Sequence, residues 1–171
     1  SLAAFLKGVM WEEIQQGIVN LPAIPFRQET VFENEKIKII NDTTATTPEG
    51  SLAAIKRFGA SNCILITGGT DAELNYTQWS KELPQYIDMM NVVFLSGSAT
   101  GKMLDSLGTI ADKGKVVNTL LECVKIGLAR ASRYTYSTLL FSPAAKSFEK
   151  FKNEMDRGRL FNRLIRREIR K

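Results

Sequence analysis

One carboxylate, Asp42, stands in a loop rich in hydroxyl groups directly after an apolar stretch. Ile37, Ile39 and Ile40 are β-branched and precede the polar run 41–47, an order typical of a buried parallel strand that meets its exit loop. A carboxylate placed there can contact a ligand, or it can cap the loop in an Asx-turn. The spacing alone leaves both interpretations open.

A helix start follows the same loop. Pro48 has the fixed φ that suits a first helical residue, and the hydroxyl of Thr47 before it can serve as the N-cap. Free amides and the positive dipole end at a helix N-terminus attract phosphate or carboxylate groups. We therefore expect a position for an anion where the strand ends and this helix begins.

The composition excludes several kinds of catalytic site. The 171-residue chain contains no His, which removes a Ser-His-Asp triad and most zinc sites. Cys63 and Cys123 lie in an apolar strand and a helical pattern, so we expect buried, inert thiols. The stretch 97–103 resembles a P-loop, but its glycines are one residue too close and Met103 replaces the Mg²⁺-binding hydroxyl. We expect an ordinary loop and helix there.

Strand-like and helix-like stretches alternate, which favours a Rossmann-like, doubly wound α/β fold. We expect a mostly parallel sheet of about five to six strands with one antiparallel edge strand. The predicted strands are 30–33 (the antiparallel edge), 36–40, 63–67, 92–95, 115–117 and 136–141. The predicted helices are 1–20 (one or two), 48–58 ending at Gly59, 77–87, 100–107, 119–131, and 148–155 with Ser147 as N-cap.

Three polar loops follow predicted parallel strands. They are residues 41–47, 68–73 and 142–147. In a doubly wound sheet, ligands bind outside the carboxyl ends of the strands, so we expect these loops to meet at one edge. The Gly68-Gly69 pair allows the second loop to bend sharply or to approach a ligand closely.

Four motifs follow one another between Pro25 and Gly158. They are Pro25-Phe26-Arg27, residues 41–48 (Asn-Asp-Thr-Thr-Ala-Thr-Thr-Pro), residues 66–71 (Ile-Thr-Gly-Gly-Thr-Asp) and residues 140–148 (Leu-Phe-Ser-Pro-Ala-Ala-Lys-Ser-Phe), the last continuing into 151–153 and Arg157-Gly158. Together they resemble the Mur ligases, above all those that add D-glutamate. The resemblance implies an ATP-dependent ligase that joins an amino acid to a UDP-MurNAc peptide through an acyl phosphate.

The resemblance implies roles for five residues. Arg27 and Asp42 match residues that bind ATP. Thr46 and Ser147 match hydroxyl residues on the carboxylate side of the amino-acid substrate, and Phe148 follows at the pocket wall. No catalytic residue and no metal ligand is implied in this chain, because the family's P-loop and Mg²⁺ ligands lie in the preceding domain.

The chain departs from the family pattern mainly at charged positions. Thr44 and Ala72 stand where the D-glutamate-adding enzymes have lysines, Phe26 replaces a His, and Glu154 replaces an aromatic residue. Lys146, at a position that is small in the family, can return a positive charge to the pocket. Either D-glutamate is recognised differently here, or the amino acid is a different one.

The resemblance also implies a domain boundary and partners. Residues 1–27 correspond to the last helix of the central domain plus a stiff linker, and residues 28–171 to the C-terminal domain. The implied ligands are ATP, Mg²⁺ held by the central domain, UDP-MurNAc-L-alanine and D-glutamate, and the N-terminal and central domains are the protein partners. Because Ser1 is not a start methionine and no P-loop occurs, we expect a fragment of a longer protein, inactive alone.

Charge and hydropathy limit other partners. The net charge of +5 favours anionic partners, and the excess lies in residues 157–171, where Leu160, Leu164 and Ile165 mark an apolar helix face. Phe161 belongs to the apolar face and no aromatic stacking residues interleave with the arginines, so we expect a solvated basic face and no nucleic acid. The absence of a long apolar run and of a secretion signal predicts a cytoplasmic protein with no membrane segment.

Two further hypotheses stay open. A sister Mur or folylpolyglutamate-type ligase would use the same chemistry with a different amino acid. A non-catalytic nucleotide-binding domain is favoured if the two replaced lysines mean that ligation is lost.

Overall fold

The computed structural model describes residues 2–170, and its elements follow the predicted alternation. The strands are β1 (Glu29–Glu33), β2 (Ile37–Asn41), β3 (Cys63–Thr67), β4 (Val92–Leu95), β5 (Lys115–Val117) and β6 (Ser137–Phe141). The helices are α1 (Leu2–Leu6), α2 (Trp11–Val19), α3 (Pro48–Phe58), α4 (Thr77–Tyr86), α5 (Ser98–Leu107), α6 (Leu120–Ala131) and α7 (Glu154–Ile169), with 3₁₀ turns at Met89–Asn91 and Gly108–Lys113.

The six strands form one sheet in the order β1-β2-β6-β3-β4-β5. Only the β1–β2 pair is antiparallel, and the other four pairs are parallel. The predicted mostly parallel sheet with one antiparallel edge strand is therefore confirmed. Strand β6 enters between β2 and β3, so the loops that follow these three strands emerge side by side.

Apolar side chains cover both faces of the sheet, as a doubly wound fold requires. On one face α3, α4 and α5 pack through Ile55, Trp79 and Met103. On the other face α6 and α7 pack through Val124 and Phe161. The middle strands are consequently buried on both sides, which explains their uniformly apolar sequences.

Both cysteines are buried and free, as predicted. Burial raises the pKa of the Cys63 thiol and of the Cys123 thiol to about 12. Thiolates are the reactive form of cysteine, so neither side chain is poised for redox chemistry near neutral pH.

Side-chain caps set the helix starts. Thr47 accepts a hydrogen bond from the Gly50 amide at 3.3 Å, so the predicted N-cap of α3 is confirmed. Thr119 caps α6 and forms a reciprocal pair with Glu122, which makes Leu120 the first residue of that helix. Helix α5 begins at Ser98, two residues before the predicted start.

The predicted helix 148–155 is wrong, and with it the N-cap role of Ser147. Helix α7 begins at Glu154, and its N-cap is Asn153, whose side chain accepts a hydrogen bond from Asp156 N. The segment before it is held across the sheet edge because Glu149 N donates to Thr70 Oγ1 at 2.9 Å. This tertiary contact overrides the local helical pattern.

Helices α1 and α2 confirm the prediction of one or two helices before the linker. Within α2 only Ile14 is buried, and Trp11 and Val19 expose 52% and 83% of their surface. In α1, Phe5 is 54% exposed. The division into segments 1–27 and 28–171 stays a prediction. No helix within residues 2–170 combines the length and the apolar character that a membrane-spanning segment needs.

Helix α3 ends next to α4, and Gly59 is required there for space. Its φ of −65° is open to any residue, but a Cβ atom would lie 2.4 Å from Ile55 O and 2.8 Å from Tyr86 Cβ. We expect Gly59→Ala to lower the free energy of unfolding by about 1–3 kcal/mol, because the backbone must shift.

The control is Gly101→Ala in α5, where nothing lies within 4 Å of the new Cβ. This substitution should raise the stability by about 0.5–1 kcal/mol, the usual gain from replacing a helical glycine. Urea unfolding monitored by circular dichroism measures both variants. Equal effects in the two variants would contradict the steric argument.

Candidate functional site at the carboxyl edge of the sheet

The loops after β2, β6 and β3 meet at the carboxyl edge of the sheet, as predicted. Ser142 Oγ donates a 2.8 Å hydrogen bond to Asp42 Oδ2 and so joins the first loop to the third. Thr70 and Lys146 form an antiparallel bridge, which joins the second loop to the third. Residues far apart in the sequence are thereby fixed within one small region.

Asp42 is buried and its carboxylate is engaged by the protein. Its Oδ1 accepts a 3.1 Å hydrogen bond from the amide of Gln28, and its Oδ2 accepts the bond from Ser142. Burial raises the pKa of the Asp42 carboxyl above 3.8, while these hydrogen bonds and the charge of Arg27 act in the opposite direction. The carboxylate therefore fixes the linker against the β2 loop.

The proposed Asx-turn at Asp42 is wrong, because the preceding residue makes it. Asn41 Oδ1 accepts a 3.1 Å hydrogen bond from Thr43 N. The Asn41 amide nitrogen also donates to Gly158 O and to Asn162 Oδ1, so this side chain connects the loop to α7 as well.

Arg27 lies on a pinned segment between the linker and β1. Phe26 and Gln28 on either side have φ values of 63° and 48°, in the left-handed region that non-glycine residues rarely adopt. Hydrogen bonds hold this backbone: Phe26 N donates to Glu29 Oε2 at 2.8 Å, and Thr44 Oγ1 donates to Phe26 O at 3.0 Å. The exposed Arg27 makes none of the ion pairs found within residues 2–170.

An open groove of about 960 Å³ runs between this segment and α3. The predicted residues Arg27, Asp42 and Thr46 all line it. Arg57 lines it as well, and its Nη1 donates to Gln28 Oε1 at 2.7 Å. Sequence reasoning missed Arg57, because only the packing of α3 against the linker brings it to the groove.

The structure does not place the other two predicted residues on the wall of this groove. Ser147 is 2% exposed, and its hydroxyl oxygen has no hydrogen-bond partner among the described residues. Phe148 is 63% exposed. The neighbouring Lys146 does not line the groove either, but its Nζ lies 3.3 Å from Oγ1 of Thr46, which does.

Arg157 is the main feature that the sequence analysis missed. We expected it on a solvated basic face, but it is fully buried. Its Nε donates to Thr43 Oγ1, its Nη1 to Ala145 O and Lys146 O, and its Nη2 to Thr43 O and Ala145 O, at 2.9–3.2 Å. Burial lowers its pKa to about 10, so the guanidinium stays charged near neutral pH.

The position of Arg157 on α7 indicates that its side chain is buried. Arg157 lies four residues before Phe161, which is on the buried stripe of the helix. Gly158 beside it has a close contact, because a Cβ there would lie 2.6 Å from Thr43 Cγ2 and 2.9 Å from the Phe26 ring. An Arg-Gly pair on the apolar face therefore indicates tight packing rather than solvent.

The stretch that resembles a P-loop opens an ordinary helix, as predicted. The carboxylate of Glu149 accepts hydrogen bonds from Ser98 N at 3.1 Å and from Ser98 Oγ. The hydroxyl of Thr100 donates to Leu95 O at 2.6 Å. The amide end of α5 thus already holds an anionic group of the protein.

The described residues do not fit a Mg²⁺ site. Among residues 2–170 there is no group of three or more acidic, His or Cys side chains that could hold a metal ion. No step that we assign to this chain involves a metal.

We expect Arg157→Met to lower the free energy of unfolding by about 3–5 kcal/mol, because buried carbonyl groups lose their donors. Urea unfolding checks this value. The matched control is the exposed Arg163 of α7, where Arg163→Met should change stability by less than about 0.5 kcal/mol. A loss below about 1 kcal/mol at position 157 would show that the contacts are not structural.

The raised pKa of Asp42 predicts a pH dependence. Because the folded state holds this proton more tightly than the unfolded state, stability is lost as the pH rises from 3.8 through the raised value. The stability of the native chain relative to Asp42→Asn should therefore fall as the pH rises above 3.8.

Asp71 shows the opposite shift, because the hydrogen bond from Lys102 lowers the pKa of the Asp71 carboxyl below 3.8. Relative to Asp71→Asn, the native chain should gain stability as the pH rises toward 3.8. Urea unfolding across this pH range measures both slopes. Slopes of the same sign would contradict the assignment.

Curated relatives match nearly the whole chain. The UDP-N-acetylmuramoylalanine–D-glutamate ligase of Prochlorococcus marinus (strain MIT 9515) is 32% identical over 92% of this chain and 33% of the relative. The ligase of the same name from Aquifex aeolicus (strain VF5) is 31% identical over 96% of this chain and 38% of the relative. The chain thus spans about a third of the length of these relatives. No family model matches it.

Solved structures share the fold. The UDP-N-acetylmuramoylalanyl-D-glutamyl-2,6-diaminopimelate–D-alanyl-D-alanyl ligase of Acinetobacter baumannii superposes with a TM-score of 0.62 and 16% identity over 98% of this chain and 34% of that one. MurF from the same organism gives 0.58 and 18% identity over 94% and 35%. In sequence and in fold the chain resembles the C-terminal domain of the Mur ligases, and in sequence it resembles their D-glutamate ligases.

Proposed function

We propose that this chain is the amino-acid-binding C-terminal domain of an ATP-dependent ligase of peptidoglycan precursor synthesis. The ligase would add D-glutamate to UDP-MurNAc-L-alanine through an acyl phosphate. The observation that carries the proposal is the sequence match, over more than nine-tenths of the chain, to relatives named as D-glutamate ligases.

The groove supports a role in nucleotide binding. Arg27 presents on a pinned backbone a guanidinium that makes no ion pair with the described residues, and its forked donors suit phosphate oxygens. We propose that Arg27 binds the phosphates of ATP. Asp42 would contact the nucleotide from the same wall, and its hydrogen bond to Gln28 N orients the segment that carries Arg27.

The amino-acid substrate would lie beyond Thr46. The hydroxyl of Thr46 lines the groove, and the buried hydroxyl of Ser147 keeps an unused hydrogen-bonding capacity. We propose both as contacts of the substrate carboxylate side, with the exposed ring of Phe148 as pocket wall. The chain then supplies binding and orientation, which is a large part of what phosphoryl and acyl transfer require.

The remaining parts of the enzyme would come from the preceding domains. Residues 1–27 would be the end of the central domain with its linker, and residues 28–171 the C-terminal domain. The central domain would supply the P-loop and the Mg²⁺ ligands, and the N-terminal domain would bind UDP-MurNAc-L-alanine.

A second candidate substrate is favoured by two positions. Thr44 and Ala72 are uncharged at positions where the resemblance implies lysines. The Thr44 hydroxyl already donates a hydrogen bond to Phe26 O. A ligase for a different amino acid fits these residues. A chimera in which this chain replaces the matching third of the Aquifex aeolicus relative decides between the two candidates.

The chimera should release phosphate from ATP when UDP-MurNAc-L-alanine and D-glutamate are both present. Release with another amino acid alone would establish the second candidate. A folded chimera that binds ATP but ligates no amino acid would instead indicate a non-catalytic nucleotide-binding domain.

For the chain itself, we expect weak ADP binding and no phosphate release from ATP above background. Arg27→Ala should weaken ADP binding roughly tenfold or more, because a charge-assisted contact is lost. The matched control is Arg133→Ala, an exposed arginine after α6 at the opposite edge of the sheet. Calorimetric titration measures the affinities, and equal losses in the two variants would show that only net charge matters.

A further inference from the structure

The three loops at the carboxyl edge contain a single cation. Loops 41–47 and 68–73 have no Lys or Arg, and loop 142–147 contributes only Lys146. Lys146 is therefore the one charged donor that these three loops offer to an anion bound between them.

The backbone of Lys146 is rigidly held. Lys146 N donates to Thr70 O at 3.0 Å, and Thr70 N donates back to Lys146 O at 2.9 Å. Arg157 Nη1 also donates to Lys146 O at 3.0 Å. The backbone position from which the Lys146 side chain extends is thus fixed, as a binding residue requires.

The ammonium group contacts Thr46, a residue that lines the groove. Its Nζ lies 3.3 Å from Thr46 Oγ1, and none of the ion pairs within residues 2–170 involves it. Because Thr46 Oγ1 accepts from Lys146, its own proton is free to go to a ligand. The N-cap of α3, Thr47, follows directly, so the helix dipole adds positive potential.

Three acids of this edge are engaged by other groups, whereas Glu49 and Glu73 are exposed. Asp42 accepts from Ser142 and Gln28, Asp71 pairs with Lys102, and Glu149 accepts from Ser98. The second cation, Arg157, donates its hydrogen bonds to hydroxyl and carbonyl oxygens. The charge of Glu154 acts against the effect of burial on the pKa of Arg157. Because Lys146 makes none of the ion pairs within residues 2–170, its ammonium group is available to a bound anion.

We infer that Lys146 binds a carboxylate of an acidic amino-acid substrate, with the Thr46 hydroxyl as the second donor. One ammonium and one hydroxyl match the two oxygens of a carboxylate, whereas the fork of Arg27 suits phosphate. The inference rests on the proposed function and assigns the charge recognition that Thr44 and Ala72 do not supply.

The test is a ¹H–¹⁵N NMR titration of the 171-residue chain with D-glutamate, L-glutamate and inorganic phosphate. We expect saturable shifts at Thr46 and Lys146 with a glutamate enantiomer. Lys146→Met, which keeps the side-chain length, should weaken this binding roughly tenfold or more, and Lys146→Arg should retain most of it. Lys125→Met on α6 removes the same charge from an exposed site elsewhere and should leave the affinity unchanged.

Equal glutamate affinity in the native chain and Lys146→Met would overturn the inference. Binding of phosphate but of neither glutamate enantiomer at Lys146 would overturn it as well, because the site would then be one for phosphate. An equal loss in Lys125→Met would assign the effect to net charge and would also overturn it.

Titration with ADP separates this inference from the proposed function. Arg27-dependent ADP binding without any glutamate binding would overturn the inference and leave the nucleotide role standing. Glutamate binding that depends on Lys146, without ADP binding, would support the inference and count against the nucleotide role.

Discussion

The arrangement of the site depends on one buried guanidinium. Arg157 donates to oxygens of Thr43, Ala145 and Lys146, so a single side chain of α7 holds the ends of the β2 and β6 loops together. It also lies 5.9 Å from the ring centroid of Phe141, a distance at which a cation and an aromatic face attract each other. Arginine is suited to this place because it has five donors in a fixed plane, whereas a lysine has one nitrogen and a different reach.

The hydrogen bonds of Arg157 fix the loops that carry the candidate binding residues. The carboxylate of Asp42 accepts hydrogen bonds from Ser142 and Gln28 and so helps to fix these loops. Arg27 and Lys146 have fixed backbones and make none of the ion pairs found within residues 2–170, which is the state expected of binding groups. The same hydrogen-bond network that makes the loops rigid therefore leaves the two positive charges available.

The sequence predicted the sheet and the meeting of the loops because both follow from local patterns. Apolar runs such as β3, the N-cap Thr47 and the alternation of strands and helices are short-range signals. The burial of Arg157 and the turn after Ser147 were not predicted, because each depends on contacts with residues far away in the chain. The groove position of Arg57 depends on packing in the same way.

Glu149 has a consequence for the shape of the whole edge. Its carboxylate occupies the amide end of α5, beyond β4, where an incoming phosphate in other nucleotide-binding folds would be received. The amide end of this helix is thus already satisfied by a carboxylate of the protein. Although five strands run in the same direction, the rim is asymmetric, because an acid of the protein caps the helix that follows β4.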